Sequence, residues 1–286
     1  MHRTISLAFV ILIAATTLAG CTGVPGPEET EVFNRTVAVE PGSSVVVVNR
    51  NGGVNVSAGE EGYVAITAVK RTVYDRGELA KVSIDVTEGD PLQITTVYTG
   101  PSVRAGVDYT IRLPPDVVLQ RIESSNGGIE VTGVRVAGTE LATSNGPVRV
   151  NNARGGDIRV SSSNGGIELR GVEGYVAGTT SNGGITVEDC GGLLTLRASN
   201  GPISADVSAV REDIAVSTSN GGIALRFAGD LNARVTATTS NGRVTIHDPS
   251  FRVSESTGTS VTGLLGDGGP MITVTTSNGG INLSGL

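Results

Sequence analysis

Residues 161–169 read Ser-Ser-Ser-Asn-Gly-Gly-Ile-Glu-Leu, and the heart of that stretch, SNGG, returns along the chain until it decides the fold. The tetrapeptide has its Asn at Asn126, Asn164, Asn182, Asn220 and Asn278; SNGP adds Asn145 and Asn200, SNGR adds Asn241, and RNGG adds Asn51. From Asn126 to Asn241 the steps are 19, 19, 18, 18, 20 and 21 residues. The step on to Asn278 is 37, near two periods, and the step back to Asn51 is 75, near four. A fixed period of this length marks a repeat architecture and governs everything read after it.

Alignment on the Asn exposes a second regularity. Three and five residues later stand Ile129/Val131, Val148/Val150, Ile167/Leu169, Ile185/Val187, Ile223/Leu225, Val244/Ile246 and Ile281/Leu283, with Ile203/Ala205 the weakest copy. Four and six residues earlier stand Val160/Ile158, Leu196/Leu194, Val216/Ile214 and Val274/Ile272. Two residues before every turn Asn except Asn51 the side chain is small, as in Ser124, Thr143, Thr180 and Ala198. Apolar residues two apart describe a strand with one buried face. Each repeat is therefore two short strands joined by the SNG turn, and Val45/Val47 and Val54/Val56 around Asn51 follow the same rule.

Two folds satisfy this phase. An antiparallel meander would use Asn-Gly in two-residue hairpins; a β-solenoid would stack equivalent strands in parallel. The solenoid is favoured because stacking sets identical turns above one another, so that Asn126, Asn145, Asn164, Asn182, Asn200, Asn220, Asn241 and Asn278 form an amide ladder. Gly is expected to supply the positive φ of the turn. The fold expected is all-β: a single-domain parallel β-solenoid with rungs of about nineteen residues. Residues 32–116 are expected to be irregular β rungs, with either one helical turn or a bulging loop within YDRGELAKVSIDV, and 117–286 the regular repeats. The interval between Asn241 and Asn278 is expected to hold one rung with a protruding loop.

The first twenty residues read as an export signal. ISLAFVILIAATTLAG is apolar but too short and too early for a membrane span, and it ends in Leu-Ala-Gly-Cys. That ending resembles the lipobox of prokaryotic lipoproteins, which implies lipidation of Cys21 and an outer-membrane address in a diderm cell. The alternative is a plain secretory signal with Cys21 incidental. Residues 22–31 then read as a flexible tether. Net charge is −7 and no basic run exceeds Lys70-Arg71, which excludes a nucleic-acid footprint.

Catalytic and metal constellations are missing from the sequence. The mature aromatics do not recur at rung spacing, and there is no GxSxG elbow. His247-Asp248 precedes Pro249 and reads as a surface turn. Asp267 stands without a second calcium ligand, and SNGGIEV lacks the Asp of RTX repeats. Cys190, in EDCGG, reads as a small turn residue rather than a reactive thiol. No cofactor and no metal are expected.

The order of NGGVNV, VDYTIRLP, serial SNGGI and a late ITVTTSNGGINL resembles the DUF4097 family, adhesin-class β-strand-repeat envelope proteins, over about residues 32–286. The resemblance implies a β-solenoid outside a membrane and carries no catalytic motif to transfer. The expected role is thus a lipid-anchored, extracytoplasmic adhesin-like binding or scaffold protein, with a glycan or an envelope protein as partner. A carbohydrate-active β-helix enzyme and an envelope-stress component that binds another membrane protein are the alternatives. The candidate binding residues are those expected to face solvent five and three positions before the turn Asn: Thr179, Thr195, Ser217, Thr236, Thr238, Thr273 and Thr275, with Arg197 the one charge among them.

Overall fold

The computed structural model describes residues 28–100 and 102–286. The export segment, Cys21 and tether residues 22–27 lie outside the described residues. The chain divides into two compact units, one ending at Arg135 and one running Val136–Leu286.

The first unit is built from β1 (Glu29–Ala38), β2 (Ser44–Val48), β3 (Val54–Ala58), β4 (Tyr63–Thr72), the single helical turn α1 (Gly77–Ala80), β5 (Val82–Thr87), β6 (Leu92–Tyr98), β7 (Gly106–Leu113), β8 (Val118–Asn126) and β9 (Ile129–Thr132). One sheet runs β1-β4-β7-β3-β9 and the other β5-β6-β2-β8. Residues 32–116 are only in part a series of rungs. β1 pairs antiparallel with β4, β4 with β7, and β5 with β6. β2–β3 and β8–β9, each joined by an SNG-type turn, pair directly in parallel. On the other side of β2–β3, β6 and β7 pair in parallel with β2 and β3, so the 75 residues from Asn51 to Asn126 add one rung that has no SNG turn, and antiparallel strands flank it. Strand β1 also takes over residues 29–31 of the expected tether, because the alternating ETEVFNRTVA pairs with β4 along its whole length.

The second unit contains β10 (Arg135–Asn145), β11 (Val148–Asn151), β12 (Arg154–Gly155), β13 (Ile158–Asn164), β14 (Ile167–Arg170), β15 (Tyr175–Asn182), β16 (Ile185–Glu188), β17 (Gly192–Asn200), β18 (Ile203–Val207), β19 (Ile214–Asn220), β20 (Ile223–Phe227), β21 (Ala233–Asn241), β22 (Val244–His247), β23 (Arg252–Ser256), β24 (Ser260–Leu265), β25 (Met271–Asn278) and β26 (Ile281–Gly285). Here the parallel solenoid holds. Each strand before a turn joins one sheet and each strand after it joins the other, and turn Asn pairs with turn Asn in register. The apolar columns face inward: Ile158, Val216, Ile272 and Val235 from one sheet, Leu169, Val187, Leu225 and Leu283 from the other, are at most 4% exposed. Burial of such aliphatic side chains contributes about 1.5–3 kcal/mol each.

The spatial order of rungs departs from the chain order. β25 lies between β19 and β21, and β26 lies between β20 and β22. The expected extra rung between Asn241 and Asn278 is instead an antiparallel pair, with β24 against β21 and β23 against β24. Antiparallel strands let the chain turn back at once, whereas another parallel rung would need a full crossover.

Candidate functional site

The turn edge of the second unit is built by stacking. Asn164 Nδ2 donates to Asn145 Oδ1 at 2.8 Å, Asn182 to Asn164 at 2.8 Å, Asn200 to Asn182 at 3.0 Å and Asn220 to Asn200 at 2.8 Å. Asn278 then donates to Asn220, and Asn241 to Asn278, each at 2.9 Å. In the first unit Asn126 donates to Asn51 at 2.7 Å. Every amide points the same way along its ladder, an arrangement in which successive hydrogen bonds polarise one another.

A second ladder runs beneath this one, and the sequence signalled it only as a preference for small residues. The hydroxyls of Ser162, Thr180, Thr218, Thr276 and Thr239 donate to the carbonyls of Gly146, Gly165, Gly201, Gly221 and Gly279 of the neighbouring turn, at 2.8–3.1 Å. These side chains are buried, so each needs its partner. The first Gly of each turn serves the same close stacking. A Cβ at Gly165, Gly183, Gly201, Gly221 or Gly242 would overlap the carbonyl of the next rung. Positive φ, the role expected from sequence, is not the general reason, because among these turns only Gly52, Gly127, Gly146 and Gly279 have it, at 113–155°.

The candidate binding residues stand on the outer face of the sheet that precedes the turns. Thr179, Thr238, Thr273 and Thr275 are exposed, and Thr195, Ser217 and Thr236 are half-buried. Register places Thr179, Arg197, Ser217, Thr275 and Thr238 in one row across five strands. A second row holds Ala215, Thr273 and Thr236. The inserted β25 makes Thr236/Thr238 and Thr273/Thr275 immediate neighbours, which their spacing in the chain conceals. The antiparallel β24 extends both rows with Thr262 opposite Thr236 and Ser260 opposite Thr238, where the two hydroxyls are 3.3 Å apart. Ser161, opposite Thr179, extends the first row the other way. Thr195 leaves the array, since β17 bulges between Leu193 and Leu196.

The other sheet's outer face is of a different character. Arg149, Glu168, Arg170 and Glu188 form a chain of ion pairs at 3.5, 2.8 and 2.9 Å, and Arg226 pairs with Asp206 at 2.6 Å. These charges are mutually satisfied, whereas the hydroxyl rows carry only Arg197. Opposite the turn edge, Arg211 stacks on Tyr175 at 4.6 Å and binds Asp157 at 2.6 Å. Burial pushes the Asp157 carboxyl up, but the Tyr175 N–H and the Arg211 guanidinium outweigh it and hold the group below the usual range.

The reactive residue types are engaged in structure. Cys190 is buried, donates to the Glu188 carbonyl at 3.3 Å, and has its thiol pushed up to about 11 by burial. Asp248 accepts from Ser250 N–H and Oγ at 2.8 and 2.6 Å and closes the turn after His247. Asp267 lies in an exposed turn. Among the described residues no group of three His, Cys, Asp or Glu side chains could hold a metal, and no helix is long and apolar enough to cross a membrane.

Comparison with solved structures places this arrangement beside several crystal structures. It is similar to a "putative adhesin" from Bacteroides fragilis NCTC 9343, at 12% identity and a TM-score of 0.45 over 92% of this chain and 99% of that one. A "putative adhesin" from Parabacteroides distasonis ATCC 8503 gives 12% identity and a TM-score of 0.45, over 88% and 96% of the two chains. A "putative lipid binding protein" from the same strain gives 11% and 0.41, over 88% and 96%. No curated protein matches the chain. The sequence profile of the family described as Toastrack DUF4097 matches residues 44–284, and the chain belongs to that family.

Proposed function

We propose that this chain is a non-catalytic, extracytoplasmic binding or scaffold protein, lipid-anchored through Cys21, whose contact surface is the hydroxyl face of the second unit. The observation that carries the reading is the register of that face. Ser217, Thr275 and Thr238 stand side by side on successive strands, flanked by Thr273 and Thr236, on parallel strands about 4.8 Å apart. A flat, evenly spaced and nearly uncharged array of hydroxyls suits an extended polar polymer such as a glycan. Its repeated donors and acceptors can be met by repeated hydroxyls of the partner without burying an unpaired charge. The charged face lacks this capacity because its groups already pair with one another.

The test is the triple substitution Ser217→Lys, Thr238→Lys and Thr275→Lys. All three side chains point outward, so the melting temperature should stay within a few degrees of wild type, since surface substitutions cost about 0.5 kcal/mol or less each. Binding to a glycan array or to whole cells should be abolished. Unchanged binding by the folded triple variant removes this face from consideration and moves attention to the 256–270 segment.

A further inference from the structure

We propose that residues 271–286, the β25–β26 rung, form an exchangeable rung through which two copies of this chain can be joined. This rung occupies a slot whose two walls both precede it in the chain. The β19–β20 rung stands on one side and the β21–β22 rung on the other. Each wall is a rung with its own SNG turn.

The turn contacts that hold this rung are of the kind the other rungs make. On one side Asn278 Nδ2 donates to Asn220 Oδ1 and Thr276 Oγ1 to the Gly221 carbonyl, both at 2.9 Å. On the other, Asn241 Nδ2 donates to Asn278 Oδ1 at 2.9 Å and Thr239 Oγ1 to the Gly279 carbonyl at 2.8 Å. None of these bonds reads which chain the rung belongs to, so the same rung from a second copy would make all of them.

The vacated slot has a ready way to close. Ile214 and Val235 share the partner Ile272, Val216 and Ala237 share Val274, and Ile223 and Val244 share Ile281. The walls could pair directly in that register, with like columns meeting, so an open state exposes no raw sheet edge inside the stack. Stability in stacked repeats is a sum of nearest-neighbour terms, and one neighbour replaces another at limited cost.

The linker fits exchange as well. Gly266–Pro270 carries the chain from β24, on one side of β21, to β25 on the other. It contains three glycines, of which Gly266 and Gly268 have φ of 54° and 81°. Several hydrogen bonds latch it, among them Asp267 N–H to Asn232 Oδ1 at 2.8 Å, Arg234 Nε to the Gly269 carbonyl at 3.2 Å, the Arg252 guanidinium to the Gly266 carbonyl and, just beyond the linker, Met271 N–H to Asp213 Oδ1 at 2.7 Å. Exchange of an identical element across such a hinge is a low-cost route to assembly.

The experiment uses register neighbours on the solvent face. Ser217 and Thr275 are Cα partners on adjacent strands, about 4.8 Å apart and within disulfide reach. A full-length chain with both Ser217→Cys and Thr275→Cys should close an intramolecular disulfide, and its failure to do so would overturn the slot geometry. Separately purified chains, one with Ser217→Cys and one with Thr275→Cys, are then mixed under mild oxidation. A 217–275 disulfide between chains, located by peptide mass spectrometry, should accumulate with protein concentration and form faster when Asp213→Ala unlatches the linker. No such link at any concentration, while the double variant closes, would overturn the proposal. So would an equal yield from Thr179→Cys mixed with Thr275→Cys, because those positions are not register partners and would report collision alone.

Discussion

The turn shows how much one residue position can fix. In all nine copies the residue after the Asn is Gly, whereas the next is Gly, Pro or Arg, as at Gly166, Pro147 and Arg243. A two-residue Asn-Gly hairpin needs positive φ at both central residues, but the motif's required Gly stands beside a neighbouring carbonyl and its permissive position accepts proline. The sequence favoured stacked rungs, through the ladder that identical turns can form, but left the hairpin meander open. The true reason for the first Gly was not legible there, because close approach between rungs exists only once they are stacked. Gly165→Ala would force a methyl into the Gly146 carbonyl and should cost about 2–3 kcal/mol. Gly166→Ala would meet nothing nearer than 3.5 Å and should shift the melting temperature little. Comparable losses in thermal melts of the two variants would refute this assignment. A second expectation concerns acid. The Ser44 hydroxyl, at 2.6 Å, and its N–H, at 2.9 Å, hold the Asp90 carboxyl below its usual range. A carboxylate depressed in the folded state stabilises above its unfolded pKa of about 3.9, and that contribution is lost as pH falls through the lower folded value. Asp90→Asn should thus lower the melting temperature at neutral pH, and the gap to wild type should close below about pH 4, read by melts across a pH series.

At the scale of the element, period-two alternation predicted the strands of the second unit and the face each presents. Ile223 and Leu225 are at most 2% exposed, and Ala224 between them stands on the outer row beside Ser204 and Asn282. Ile223→Asp would bury an unpaired charge and should cost several kcal/mol, while Ala224→Asp should cost about 0.5 kcal/mol or less. Equal destabilisation in urea titrations would place the strand in the opposite phase. What alternation could not supply was the neighbour of each strand. The same turn, the same Asn and the same aliphatic columns recur, so any rung chemically fits beside any other and the sequence carries no address. The insertion of β25 between β19 and β21, which gathers Thr236, Thr238, Thr273 and Thr275 into one array, was illegible for that reason. In the first unit β4 and β7 also alternate without an SNG turn between them; they pair antiparallel with each other, while β7 pairs in parallel with β3 on its other edge, a difference that alternation alone does not carry.

For the whole molecule, composition limits the partners and the proposed anchor would set the place. A net charge of −7 leaves no reason for a polyanionic partner, and the charges on the Arg149–Glu188 face are spent on one another. On the proposed function the hydroxyl rows are the contact surface, and such a surface works only where its partner is. On the proposed anchor, Cys21 fixes that place. The structure adds a length to this reading, since β1 begins at Glu29 and is paired from its first residue. Eight residue steps from Cys21 to Glu29 reach at most about 28 Å, so a lipid on Cys21 would hold the first unit against the membrane surface rather than on a long stalk. Two measurements follow. Cys21→Ser should move the protein from the detergent phase to the soluble phase or leave the precursor uncleaved, and mass spectrometry that finds an unmodified Cys21 in mature wild type would end the anchor reading. A fluorophore on Thr30→Cys, exposed near the start of β1, should transfer energy strongly to an acceptor in the lipid headgroups. Ten Gly-Ser residues inserted after Thr22 should weaken that transfer, because they lengthen the reach while leaving the folded units and the lipidation signal unchanged. Transfer that ignores the insertion would mean that some surface of the first unit, and not the tether, sets the distance to the membrane.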